Sequence, residues 1–145
     1  MASKRTKKHR PFDAMAAMKA KLPLSQDQRR DVALVMLAAF NALTIGRGSA
    51  QCWAHVASAI NVGMMMCEIG IHPDKIEIFR AAQAGLIRTR GRGSSTGKWG
   101  FDGDALRDIT QAINVHQDQY RIATKQQVQQ AIYTVHDRVQ SGEYM

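Results

Sequence analysis

Apolar residues recur along most of this chain at spacings of three and four, the period of a helix with one buried face. Val32, Val35, Met36, Ala39, Phe40 and Leu43 follow Ser25 and Gln28, a capping-box pair that predicts where the first strong helix starts. Gly46 ends it. Ala33, Leu34, Leu37 and Ala38 fill its other faces, and this near-complete apolar circumference predicts a central position in a bundle. Ser49 caps a second helix with Trp53, Val56, Ala57, Ile60, Met64 and Cys67 inward and Gly70 as its stop, packed antiparallel to the first. Pro73 and Asp74 open a third, with Ile76, Phe79, Gln83, Leu86 and Ile87 in its stripe.

Residues 90–100 hold four glycines together with Ser94, Ser95 and Thr96, which predicts a long exposed loop. After Asp102 a fourth helix is expected, with Leu106, Ile109, Ile113, His116 and Tyr120 on one side. Thr124 and Gln127 repeat the capping box. The fifth helix turns Val128, Ala131, Ile132, Val135 and Val139 inward and Gln126, Gln129, Gln130 and Gln140 outward. No period-two strand pattern and no internal repeat interrupts the series. The prediction is an all-α fold: an antiparallel bundle of four or five helices over residues 23–142, preceded by a disordered basic tail at residues 1–22.

Charge sharpens this division. The chain has 145 residues, enough for one stable core, and a net charge of +8. Residues 1–22 carry Lys4, Arg5, Lys7, Lys8, Arg10, Lys19 and Lys21 against Asp13 alone, and residues 88–98 add Arg88, Arg90, Arg92 and Lys98 with no acid. The rest is slightly acidic. Two cationic segments on a near-neutral body point to polyanions or acidic protein surfaces. Cys52 and Cys67 fall in one helix roughly 20 Å apart, too far to pair, which predicts two reduced thiols and a reducing compartment. No apolar run reaches signal-peptide or membrane-spanning length, so a cytoplasmic protein without a membrane partner is expected.

Gly91, Gly97 and Lys98 suggest a phosphate-binding loop, but one residue too many separates Gly91 from Gly97. Trp99 also stands where a metal-binding hydroxyl is needed, and the preceding segment reads as helix. What remains is a cationic loop able to grip phosphates while Trp99 stacks on a base, or a solvated loop whose Trp99 folds back into the core. A DNA-binding helix-turn-helix around Gly70 is disfavoured by Met66, where a small residue is needed, and by Asp74 and Glu77 facing phosphate. Cys52 with His55, and Cys67 with His72, do not assemble a zinc set. His116 near Asp118 and His136 beside Asp137 are sequence neighbours without a nucleophile, so no enzyme, metal or cofactor is expected. Met64, Met65 and Met66 cover most of a helix circumference, as core filling or as an adaptable surface for a partner or a second copy.

Gly46-Arg47-Gly48, Trp53, Ala59-Ile60-Asn61-Val62, Ala82-Gln83-Ala84-Gly85-Leu86 and Gly97-Lys98-Trp99-Gly100 leading into Asp102-Gly103-Asp104-Ala105 give residues 29–142 a resemblance. They resemble small helical proteins encoded by bacterial phages, plasmids and other mobile elements. The resemblance implies an accessory role, modulating host machinery or handling the element's nucleic acid, and supplies no catalytic residues. The expected function is nucleic-acid binding through Lys4, Arg5, Lys7, Lys8, Arg10, Arg88, Arg90, Arg92, Lys98 and Trp99. The alternative is a protein inhibitor or adaptor using Met64, Met65 and Met66 or the basic loop.

Overall fold

The computed structural model describes residues 14–143, and every regular element among them is helical. The order is α1 (Ala14–Ala20), α2 (Gln26–Thr44), α3 (Ala50–Glu68), a 3-10 turn (Pro73–Lys75), α4 (Ile76–Thr96), α5 (Gly103–Ile122) and α6 (Lys125–Gln140). The all-helical class is as expected, with six α-helices among the described residues instead of four or five.

The helix starts follow the capping chemistry read from the sequence. Ser25 Oγ accepts from the Gln28 amide at 3.1 Å while Gln28 Oε1 accepts from the Ser25 amide at 3.0 Å. Thr124 and Gln127 make the same reciprocal pair, Ser49 accepts from the Cys52 amide, and Asp102 accepts from the Ala105 amide. Each satisfies amides that the first turn of a helix leaves without partners.

The centre of the bundle is α3, not α2. Ten consecutive or near-consecutive residues of α3 are buried, among them Val56, Ile60 and Cys67, and the helix touches α2, α4, α5 and α6. Only Met36, Ala39 and Leu43 of α2 are buried. The reason is charge. From Ala50 to Cys67, α3 carries no acid, lysine or arginine, whereas Asp27, Arg30 and Asp31 in the first turns of α2 need water. Gly63 brings α3 against α4, since a Cβ there would stand 2.2 Å from the buried Phe79 ring.

The long loop expected at residues 90–100 is mostly helix. α4 continues through Gly91 and Gly93 to Thr96, and Gly97 at φ 73° ends it. Trp99 decides this: its indole lies where a Gly93 Cβ would be, 2.3 Å away, and it packs on the main core. Burying an indole outweighs the roughly 1 kcal/mol that each helical glycine costs. The remaining connection is strapped to the α2–α3 turn, with the Gly48 amide donating to the Trp99 carbonyl and the Phe101 amide to the Leu43 carbonyl.

Residues 14–22 of the segment expected to be disordered are placed on the bundle. α1 is helical and touches α6, the Lys125 amide donates to the Leu22 carbonyl at 2.9 Å, and Pro23 pairs with Thr124. Lys4, Arg5, Lys7, Lys8 and Arg10 lie outside the described residues.

Candidate functional site

The cationic segment at residues 88–98 is occupied by internal work. Arg88 donates to both oxygens of Asp102, at 3.0 and 3.3 Å, and Arg92 donates to the Gly100 carbonyl at 2.6 Å. Hydrogen bonding from Arg88, then from the Ala105 amide, holds the Asp102 carboxyl below its ordinary range. Arg90 lies over the Trp53 ring, 5.2 Å from its centroid. Trp53 in turn donates to the Leu86 carbonyl and sits tilted against Trp99. Trp99 is therefore a half-buried packing residue between Gly93 and Trp53, the second of the two placements expected for it. Lys98 is exposed. Because Asp102 both caps α5 and anchors two arginines, Asp102→Ala is expected to destabilise the fold by about 1–2 kcal/mol in a denaturant titration. Unchanged stability would mean that water replaces these bonds without loss.

Of the two roles expected for the three methionines, the structure shows core filling, not an exposed contact surface. Met64, Met65 and Met66 are all buried, because α3 is surrounded and has no outward face at that level. Their thioethers fill core gaps.

The other titratable side chains fall apart in space. His116 is buried on α5, while Asp118 is exposed and pairs with Arg121. His136 and Asp137 are exposed on α6. Among the described residues no three His, Cys, Asp or Glu side chains could hold a metal ion. Cys67 is buried, its Sγ donates to the His72 carbonyl, and burial pushes its thiol up to about 11. That keeps it a thiol at neutral pH. Gln119 organises this interior: its amide donates to the Gly63 and Ile71 carbonyls and to Cys67 Sγ, which leaves Oε1 facing His116 Nδ1 at 3.4 Å. His116 Nδ1 must therefore carry the hydrogen, and burial pulls its pKa down to about 4, so the ring is neutral.

What the sequence did not reveal is an open groove beside α3. Two adjoining hollows, of about 500 and 420 Å³, share Ser58, Val62 and Ile132. Val32, Val35 and Met36 of α2 form one wall of the larger hollow, small α3 side chains at 58 and 59 form its floor, and Ile132 of α6 stands opposite. Its polar lining comprises Arg29, Arg30, Arg121, His55, His116 and Tyr120 with Gln and Ser side chains, and contains no acid. Arg30 pairs with Asp27 and Asp31 in solvent, and Arg121 pairs with Asp118. Arg29 differs: its Nε is buried and makes no hydrogen bond to any described residue. A signal for it was present, because Arg29 stands two turns before Met36 and so on the buried stripe of α2.

The opposite face of α2 is apolar and open. Leu34 and Ile45 are each more than half exposed, and Leu34, Leu37 and Ala38 share this face with exposed Asn41 and, at the C-cap, Ile45. No helix among the described residues is long and apolar enough to cross a membrane. Compared with protein-family models, curated protein sequences and solved structures, the chain matches none.

Proposed function

We propose that this chain is a non-catalytic binding protein that docks a partner protein on the outer face of α2. The observation that carries the reading is the exposed apolar patch of Leu34, Leu37 and Ala38, with Ile45 at the C-cap beyond Asn41, set opposite the Met36, Ala39 and Leu43 side that the bundle buries. A helix with both faces apolar and only one covered has the pattern by which an apolar helix or groove of another chain is recognised. The charge of residues 88–98 supports the reading indirectly, since three of its four cations are engaged within the fold.

A second reading has its own observation. Lys4, Arg5, Lys7, Lys8 and Arg10 remain a concentrated cationic run, suited to sequence-independent phosphate contacts. Either reading suits the mobile-element setting that the sequence resemblance implies.

One experiment separates them. The full chain, the double variant Leu34→Asp/Ile45→Asp and a version lacking residues 1–13 are each used to capture partners from host extract, with and without nuclease treatment. The proposal expects one stoichiometric protein with the full chain and with the shortened one, and a loss of at least about tenfold in affinity for the α2 variant. Recovery of nucleic acid alone, dependent on residues 1–13 and steeply weakened by salt, would transfer the function to the cationic run.

A further inference from the structure

The larger hollow between α2, α3 and α5 combines an apolar body with a part-buried arginine whose Nε–H has no acceptor, and this pairing is independent of the docking reading above. A guanidinium that is part-buried without an acid or a hydrogen-bonded carbonyl is costly. Arg29 bears that cost at the edge of a hollow whose lining contains Arg30 and Arg121 but no carboxylate. His116 adds no charge, being neutral, and its Nδ1 hydrogen is taken by Gln119, so the ring offers only its other nitrogen, as an acceptor. The positive character of the hollow therefore comes from arginine, the side chain whose planar donors suit a carboxylate. The apolar part of the lining includes Val32, Val35, Met36, Ala59, Val62 and Ile132, aliphatic or thioether side chains that hydrogen-bond nothing, beside polar but uncharged Gln and Ser side chains.

We propose that this hollow is a binding site for a small organic carboxylate with an aliphatic body, the carboxylate meeting Arg29 and the body lying along Val32, Val35 and Ile132. Its volume of about 500 Å³ lies in the range of small-molecule sites, and a position between helices of a bundle is a usual one for them. Charge selects the occupant. The chain's own residues 1–13 carry five lysines and arginines against Asp13 and would bring further positive charge to Arg29, the one arginine of the hollow without an ion pair among the described residues. A neutral lipid would leave Arg29 without a counter-charge, and inorganic phosphate would leave the aliphatic wall wet.

The test is calorimetric titration of the full-length protein with octanoate, 1-octanol, octylamine and inorganic phosphate at near-physiological salt. Octanoate is expected to bind at least about tenfold more tightly than any of the other three, a difference of about 1.4 kcal/mol. Arg29→Met, which keeps an unbranched apolar stem without the guanidinium, is expected to weaken octanoate by about tenfold or more. Arg30→Met, at a solvent-paired arginine, is expected to change it by less than about threefold. Ala59→Leu fills the floor and is expected to abolish octanoate binding while helicity is retained, which decides the matter if Arg29→Met does not fold. Equal affinity for octanoate and octanol, insensitivity to Arg29→Met and Ala59→Leu, or no heat with octanoate up to millimolar concentration would each overturn the assignment. None of these outcomes bears on the α2 patch, whose failure is read separately by the Leu34 and Ile45 substitutions.

Discussion

Gly63→Val is expected to destabilise the protein by about 3 kcal/mol, measured as a fall in the midpoint of chemical denaturation at unchanged slope. The position is helical, so glycine is a poor intrinsic choice there, and on propensity alone alanine would gain about 1 kcal/mol. The packing reverses the sign. A Cβ would lie 2.2, 2.6 and 3.0 Å from three atoms of the Phe79 ring, and that ring is fully buried among Leu43, Ile60, Leu86 and Ile109 with nowhere to withdraw. Overpacking of this kind typically costs about 1–3 kcal/mol, and a β-branched residue adds a further helix penalty. Shrinking the ring is expected to relieve the conflict. In a double-mutant cycle Gly63→Ala with Phe79→Leu should show a favourable coupling of roughly 1 kcal/mol or more. If Gly63→Val unfolds at the wild-type midpoint, α3 and α4 are not as close as described.

The second large effect is a loss of stability on mild acidification, carried by His116. In the unfolded chain this imidazole has its ordinary pKa near 6.5, while burial lowers it to about 4 in the folded protein. Between those values the unfolded state binds a proton that the folded state refuses. Stability is therefore fully present above about pH 6.5 and is lost as the pH falls toward 4, by on the order of 3 kcal/mol over the whole window. The loss is expected in urea titrations at successive pH values. His116→Leu is expected to lower stability at pH 7 and to flatten the profile between pH 6.5 and pH 5, where few carboxylates titrate. A wild-type profile that is already flat there would mean that the ring is protonated and solvated in the folded state.

The two effects meet in one piece of structure. Gln119 donates to the carbonyl of Gly63 and presents its oxygen to His116, so the close approach of α3 to α4 and the neutral histidine of α5 share a hydrogen-bonded hub. Such a buried polar cluster is stable only when each member is satisfied. The hub's accounting also fixes the His116 tautomer, which in turn leaves arginine as the source of positive charge in the adjoining hollow.

The helical class was legible because it rests on local chemistry. Ser25 with Gln28, Ser49, Asp102, and Thr124 with Gln127 each satisfy amides within three residues of themselves, and no distant neighbour is needed to recognise them. The inward positions of Leu43, Ile60, Phe79, Ile109, His116 and Val135 likewise follow from a period that the sequence displays. The placement of α3 at the centre was legible too, had the absence of charge from Ala50 to Cys67 been weighed above the apolar circumference of α2.

Other features have no local cause. Four glycines and three hydroxyl residues describe a loop until Trp99 lays its ring on Gly93 and holds the helix to Thr96. Arg88, Arg90 and Arg92 describe a cationic surface until Asp102, Trp53 and the Gly100 carbonyl, brought from elsewhere in the chain, engage them. The hollow beside α3 exists because side chains of α2, α3, α5 and α6 converge from more than a hundred residues of separation, and no window of sequence contains it. The sequence by itself determined where helices begin and which side chains avoid water, since hydration and backbone capping act at each residue. The tertiary structure alone decided which apolar face stays open, which cations are already paired and which arginine is left to meet an anion, because those depend on neighbours that only the packed chain supplies.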